Sequence, residues 1–367
     1  LSDELDLLYT DVEESVRDSV RALLAKRCTP DRVTAVYDGD RTGLDELWRA
    51  LSTDLGLAGL LVPEDLGGAG ASAREVSVVL EELGRFAAPV PFLTSAVVAT
   101  TALLEAGAAD RLGELAAGER TAALAVPLST VPGRAVPAVT VHDGVLRGTV
   151  TAVAGALEAD LLLVPVQGDG GLELHEVPAD AARITPVTSL DMTRQIADVE
   201  LAGAASRPVA DAGAAERAIG RALETGAALL ASEQLGVAQW CLDSTVEYLK
   251  IRRQFGRIVG GFQALKHRLA DLYVAVESAR AAARYAAAAV AADDPDRSVA
   301  ASVAQAYCAD AAVLAAEECV QLHGGVGMTW EHPAHLYLKR AKADQLAFGT
   351  PGAHRARLAG LVDLPAA

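Results

Sequence analysis

The sequence predicts a mostly α-helical protein with a central β domain, on three observations. Small apolar residues dominate, strand-like alternation is confined to one internal stretch, and long alanine-rich segments follow it. Of 367 residues 51% are hydrophobic but only 4% aromatic, a composition suited to closely packed helices rather than a β-rich core. A chain of this length exceeds one ordinary core and divides into two or three domains.

Residues 1–120 read as a helical domain. Val12, Val16, Val20 and Leu24 recur every fourth residue and are expected on one helical face. Residues 44–54 and 75–86 repeat an amphipathic pattern, separated by Pro63-Glu64-Asp65-Leu66-Gly67-Gly68-Ala69-Gly70, whose proline and glycines break a helix. After Pro89 and Pro91 a further apolar helix is expected over 94–105. Residues 121–208 read as a small β domain, barrel or sheet. Strands over 138–142 and 145–150 flank Asp143-Gly144, a tight turn in which glycine supplies positive φ. Residues 161–166 and 172–177 give two more strands, joined through Gly168-Asp169-Gly170-Gly171. Residues 209–367 return to helix over 213–251, 263–292, 298–322 and 333–347, the last starting at Pro333, a favoured first-turn residue. Four such helices with short connections predict an up-and-down four-helix bundle.

A net charge of −17 argues against a nucleic-acid partner, since phosphate neutralisation needs clustered Lys and Arg. The four cysteines, Cys28, Cys241, Cys308 and Cys319, lack Cys-x-x-Cys spacing and are expected as buried free thiols of a reducing cytoplasm. No uninterrupted run approaches the roughly 18 apolar residues of a membrane span, and the acidic amino terminus is unlike a signal peptide. His323, His332 and His335 lack metal-ligand spacing and read as surface or helix-end histidines. Lys339, Arg340 and Lys342 read as a solvated basic face.

Two stretches in the last third carry chemistry. Arg252-Arg253-Gln254-Phe255-Gly256-Arg257 ends the first long helix of the bundle, where an arginine can fork onto a phosphate with two charge-assisted hydrogen bonds or, more simply, satisfy helix carbonyls. Phe262-Gln263-Ala264-Leu265-Lys266-His267 follows closely. Gln321-Leu322-His323-Gly324-Gly325-Val326-Gly327 places three glycines after a helix, letting the backbone approach a pyrophosphate or adenine. With Phe348-Gly349-Thr350-Pro351-Gly352, and with Pro63 to Gly68 and Leu80-Glu81-Glu82-Leu83-Gly84-Arg85 upstream, these motifs resemble the acyl-CoA dehydrogenase family over nearly the whole chain. Trp330-Glu331-His332 and Leu336 to Arg340 are similar to its actinobacterial steroid side-chain branch, many of whose members pair unlike subunits.

The resemblance implies FAD at a subunit interface, an acyl-CoA substrate and an electron-transfer flavoprotein as acceptor. It assigns Arg252, Gln254, Phe255, Gln321, Gly324 and Gly325 to a neighbouring subunit's FAD, with Gly349 and Thr350 also in the cofactor set. It also implies α-proton removal by a carboxylate coupled to hydride transfer from the β-carbon to the flavin. The family's usual base position is Phe348 here, and its alternative, ten residues before the glycine of Leu235-Gly236, is Gly226, so neither offers a carboxylate. The next position, often arginine, is Ala227. Glu224 is a candidate base, but two residues along a helix is a rotation of about 200°, which points it elsewhere. Val126-Pro127-Leu128-Ser129 and Val150-Thr151-Ala152-Val153 replace the family's flavin-ring segments and lack their acidic residue and tryptophan.

Three functions are therefore expected as alternatives. One is a base-less subunit of an α2β2 FAD-dependent enzyme whose unlike partner supplies the base. Another is a self-sufficient homo-oligomer using Glu224 or another carboxylate. The last is a flavin-free assembly scaffold.

Overall fold

The computed structural model describes residues 5–364, so residues 1–4 of the acidic amino terminus lie outside it. The amino-terminal helices are α1 (Asp11–Arg27), α2 (Pro30–Ala35), α3 (Leu44–Arg49), α4 (Ala73–Arg85), α5 (Thr100–Ala106) and α6 (Ala109–Ala116). Thr10 opens α1 with a reciprocal capping box, its side chain on the Glu13 N–H and the Glu13 carboxylate on its own N–H, satisfying two otherwise orphan donors. The buried face is not the one expected. Val12 is 61% exposed, whereas Glu13, Arg17, Val20 and Leu24 are buried. Glu13 pairs with Arg74 at 2.9 Å and Arg17 with Glu81 at 3.0 Å, so the buried stripe includes compensated charge that a hydrophobic pattern does not register.

A mixed eight-stranded sheet follows. Its strands are β1 (Ala122–Leu124), β2 (Val139–His142), β3 (Val145–Ala154), β4 (Leu161–Gly168), β5 (Gly171–Pro178), β6 (Arg183–Val187), β7 (Ile196–Ala204) and β8 (Arg207–Ala210). The order is β6-β7-β3-β2-β4-β5-β8, with β1 added in parallel to β4. Asp143 and Gly144 both adopt positive φ, 52° and 77°, the geometry of a two-residue hairpin turn. Four of these strands answer the sequence pattern, and β1, β6, β7 and β8 are additional.

The carboxy-terminal helices are α7 (Ala214–Ile251), α8 (Gln263–Ala291), α9 (Arg297–His323), α10 (Ala334–Leu346) and α11 (Pro351–Leu361). Between α7 and α8 a small hairpin pairs β9 (Arg253–Gln254) with β10 (Arg257–Ile258). α7 is the central element, packed on α4, α8 and α9. It meets α4 at Gly84 and Gly236, where a Cβ would lie 2.1 Å from the Glu233 carbonyl oxygen and 1.9 Å from that of Glu81. Only glycine permits backbones this close. α9 is long and apolar enough to cross a membrane, but 72% of that stretch is buried within the bundle. The four cysteines are free and buried.

Candidate functional site

Phe348 stands where α10 turns into α11. It adopts φ 53°, a left-handed conformation that a bulky residue takes only when its surroundings impose it. Two contacts do so. Its N–H donates to the Leu128 carbonyl at 2.7 Å, and its own carbonyl lies 2.9 Å from His354 Nε2, which must carry the proton because a carbonyl only accepts. The ring is 4% exposed and seated on α7 at Gly226. A Cβ built on Gly226 would be 2.8 Å from Phe348 Cζ and 2.9 Å from Val98 Cγ2. The two positions that lack a carboxylate are thus one contact, with an arene on one side and bare backbone on the other.

Glu224 faces a different space. Its carboxylate takes a hydrogen bond from Ser298 and pairs with Arg357 at 2.7 Å and Arg297 at 3.3 Å. It lines a separate cleft of about 370 Å³ with Arg217 and Arg221. The helical offset from Gly226 is real, and three partners hold the side chain.

The segment 126–131 packs against the same turn. Besides the Leu128 bond, Val131 Cγ2 lies 2.9 Å from where a Cβ on Gly349 would be, and Gly349 has φ 106°. Thr350 caps α11, its Oγ1 accepting from the Ala353 N–H at 3.2 Å. These segments, which the resemblance places around a flavin ring, fill the space between sheet and bundle with one another, so the residues present do not fit a ring on this side.

The opposite end of the bundle is open. Arg252 closes α7 with its N–H on the Tyr248 carbonyl, and Arg252, Gln254, Gln321, Gly324 and Gly325 are all exposed. Phe255 is 86% exposed on the β9–β10 turn, where it adopts φ 52°. The ends of α7 and α9 are tied together by Tyr248 stacked on His323 at 4.5 Å. The structure therefore brings both motifs to one corner and leaves their donors and one large ring free. An exposed arginine, backbone N–H groups at a glycine turn and an aromatic face fit a dinucleotide reaching in from another chain. Helix faces nearby are also uncovered, with Tyr273 and Val274 on α8 and Val303, Tyr307 and Leu314 on α9 all exposed.

Within the basic run on α10, Lys339 and Lys342 are partly exposed but Arg340 is not on a solvated face. Arg340 is 2% exposed, ion-paired with Asp191 at 2.9 Å and Glu233 at 2.6 Å. Arg194 forks onto both Glu233 oxygens at 2.7 and 2.6 Å and also pairs with Asp344. Gln305 donates to the Asp344 and Ala347 carbonyls, carrying the network to the residue before Phe348. Burial pushes the Asp344 carboxyl up to about 7, despite Arg194, whereas Arg194 and Arg340 hold Glu233 below its ordinary value against burial. Sequence pattern offered no sign of this cluster, because its members come from the β6–β7 connection, α7, α9 and α10. His323 is buried at the end of α9, and among the described residues no cluster of His, Cys, Asp and Glu could hold a metal.

Comparison with known proteins adds independent findings. Residues 10–113 match the family model described as acyl-CoA dehydrogenase, N-terminal domain, and residues 216–361 match acyl-CoA dehydrogenase, C-terminal domain. The chain is 36% identical over 345 residues to acyl-CoA dehydrogenase IpdE2 of Mycolicibacterium smegmatis, covering 94% of this chain and 97% of that protein. Among solved structures it is similar to the ChsE4-ChsE5 complex from Mycobacterium tuberculosis, with a TM-score of 0.84 and 29% identity over 99% of this chain and all of that one. It is also similar to a variant of the Tcur3481-Tcur3483 steroid ACAD, with a TM-score of 0.82 and 29% identity over 96% and 98% of the two chains.

Proposed function

The chain belongs to the acyl-CoA dehydrogenase family, and we propose that it is the base-less subunit of a heteromeric, FAD-dependent enzyme of the steroid side-chain branch. The α2β2 complex would convert an acyl-CoA thioester to its 2,3-enoyl-CoA. The observation that carries this is the Phe348 ring seated on Gly226. A general base must lie within hydrogen-bond reach of the proton it removes, and neither residue has a group to accept one. Ser298, Arg297 and Arg357 hold Glu224 in another cleft, which disfavours a self-sufficient homo-oligomer. The base then comes from an unlike partner.

FAD, when bound, supplies the acceptor for the hydride. This chain's contribution is to bind and orient: the Arg252 guanidinium takes a phosphate, Gln254 and Phe255 flank it, and Gln321 with the Gly324 and Gly325 N–H groups takes the adenine half of the partner's cofactor. The exposed ring of Phe255 and the bare faces of α8 and α9 support a covering chain, since apolar side chains grouped on a surface mark interaction sites. The two-protein names of the ChsE4-ChsE5 and Tcur3481-Tcur3483 structures support a partner of unlike sequence. An electron-transfer flavoprotein as acceptor and a cytoplasmic location belong to the same proposal.

Flavin absorbance tests it. Purified alone, the chain should retain little FAD. Purified with its base-bearing partner, it should show fewer flavins than chains. One flavin per chain in the isolated protein would refute the closed ring site, and none in any complex would leave only an assembly role.

A further inference from the structure

The corner that carries Arg252, Gln321, Gly324 and Gly325 stands on a column of rings. Tyr248 of α7 stacks on His323, the last residue of α9, with centroids 4.5 Å apart and planes 28° from parallel. His323 in turn lies 4.1 Å from His332, on the loop that leads into α10. Beyond His332 the column reaches Trp240 at 6.4 Å, which lies flat on Tyr337 of α10 at 3.6 Å and 5°. The Tyr337 hydroxyl donates to the Arg85 carbonyl at 2.7 Å, so the column is rooted at the end of α4.

Both imidazoles are held in fixed orientations. His323 Nδ1 is 2.7 Å from the Cys319 carbonyl, and because a carbonyl only accepts, that nitrogen carries a proton. His332 Nδ1 accepts from the Ala334 N–H at 3.2 Å, which fixes the opposite tautomer. The two rings bracket the loop of residues 324–331, most of it exposed. Inside it Gly327 presses back on α9, where a Cβ would be 2.5 Å from the Val320 carbonyl oxygen and 2.9 Å from the His323 Cβ. At Gly324 and Gly325 the same atom would meet nothing within 4 Å, so that part of the loop faces open space. Tyr248 also serves the other motif, since its carbonyl takes the Arg252 N–H at 2.9 Å, the bond at which α7 ends.

We infer that Tyr248, His323 and His332 are positioning residues of the dinucleotide corner: their stack clasps both ends of the glycine loop to the end of α7 and holds Arg252 and the Gly324 and Gly325 N–H groups at a fixed spacing before a cofactor arrives. The inference rests on the proposal that this corner receives a partner's FAD. None of the three rings need touch the cofactor. A loop that is already ordered loses less conformational entropy on binding, and stacked aromatic rings supply that order.

Tyr248→Leu removes the ring but keeps an apolar side chain, and Tyr248→Phe keeps the ring. In the complex with a base-bearing partner, stripped of flavin and titrated with FAD, Tyr248→Leu and His332→Leu should each weaken binding about two- to tenfold, the worth of one aromatic pair, whereas Tyr248→Phe should bind as the wild type does. In the full chain without a partner, amide exchange at Thr329, whose N–H bonds the Val326 carbonyl at 3.1 Å, should be faster in both leucine variants and unchanged in Tyr248→Phe and Arg252→Ala. FAD held as tightly by the leucine variants as by the wild type, while Arg252→Ala weakens it, would overturn the clasp and leave the FAD proposal standing. No effect of Arg252→Ala on FAD would remove that proposal and the inference with it. Unchanged exchange at Thr329 in the leucine variants would overturn the clasp even where a variant fails to assemble with the partner.

Discussion

Phe348→Ala should destabilise the protein, and Gly226→Ala in the same molecule should reveal why. Phe348 is almost fully buried, and truncating such a side chain costs about 3–5 kcal/mol through lost transfer energy and the cavity left behind. Gly226 lies inside α7, where alanine would ordinarily gain about 0.8–1 kcal/mol in helix propensity. Here its methyl would sit 2.8 Å from Phe348 Cζ and 2.9 Å from Val98 Cγ2, and overpacking of that kind costs about 1–3 kcal/mol. The clash wins in the wild type, so Gly226→Ala alone should be destabilising. With Phe348 truncated, the ring's part of the clash is gone and only Val98 Cγ2 remains close, so the cost of the methyl should fall. Urea unfolding of the four proteins of the cycle, monitored by tryptophan fluorescence, should therefore give a coupling of about 0.5–3 kcal/mol. Additivity within about 0.3–0.5 kcal/mol would refute the ring-on-glycine contact.

Arg252→Ala should weaken FAD retention in the assembled complex by roughly one to two decades, since a charge-assisted contact is worth about 1.5–3 kcal/mol; titration of the apo-complex with FAD measures it. Arg340→Met should cost about 3–5 kcal/mol in chemical denaturation by leaving Asp191 buried without its cation and Glu233 with Arg194 alone; a loss under about 1 kcal/mol would mean the network is relaxed by water. Burial, reinforced by His323 and His335, depresses His332 from 6.5 to about 4. Between those values the unfolded chain binds the extra proton, so stability should fall as pH drops through that window. His332→Gln should flatten that limb of a stability profile.

The long helices were legible because alanine-rich segments of that length have few alternatives, and the β2–β3 turn because Asp143-Gly144 has one. The Arg252–Arg257 and Gln321–Gly327 stretches were legible as motifs, and their placement at one exposed corner follows from α7 and α9 ending side by side. The face of α1 was misjudged because Glu13 and Arg17 are buried as ion-paired residues. β7 carried a readable signal, with Ala197, Val199 and Leu201 alternating inward, while β6 and β8 are mostly exposed and contain Pro186 and Pro208. Arg340 misled for a physical reason: a lysine-rich helical run resembles a wet surface until Asp191 and Glu233 arrive from distant segments. The Phe348–Gly226 contact was invisible for the same cause. Sequence displays two absences separately, and only the fold shows that one side chain fills both.

Turnover is the most direct measurement. The chain alone, assayed with steroid and straight-chain acyl-CoA thioesters and an artificial electron acceptor, should show little or no dehydrogenation, because a positioned base is worth about 10²–10⁴-fold. Co-expression with a related chain carrying a carboxylate at either of the two aligned positions should restore activity, and Glu224→Gln should leave the complex unchanged. Turnover by the isolated chain that Glu224→Gln abolishes would contradict the account and install the homo-oligomeric enzyme in its place.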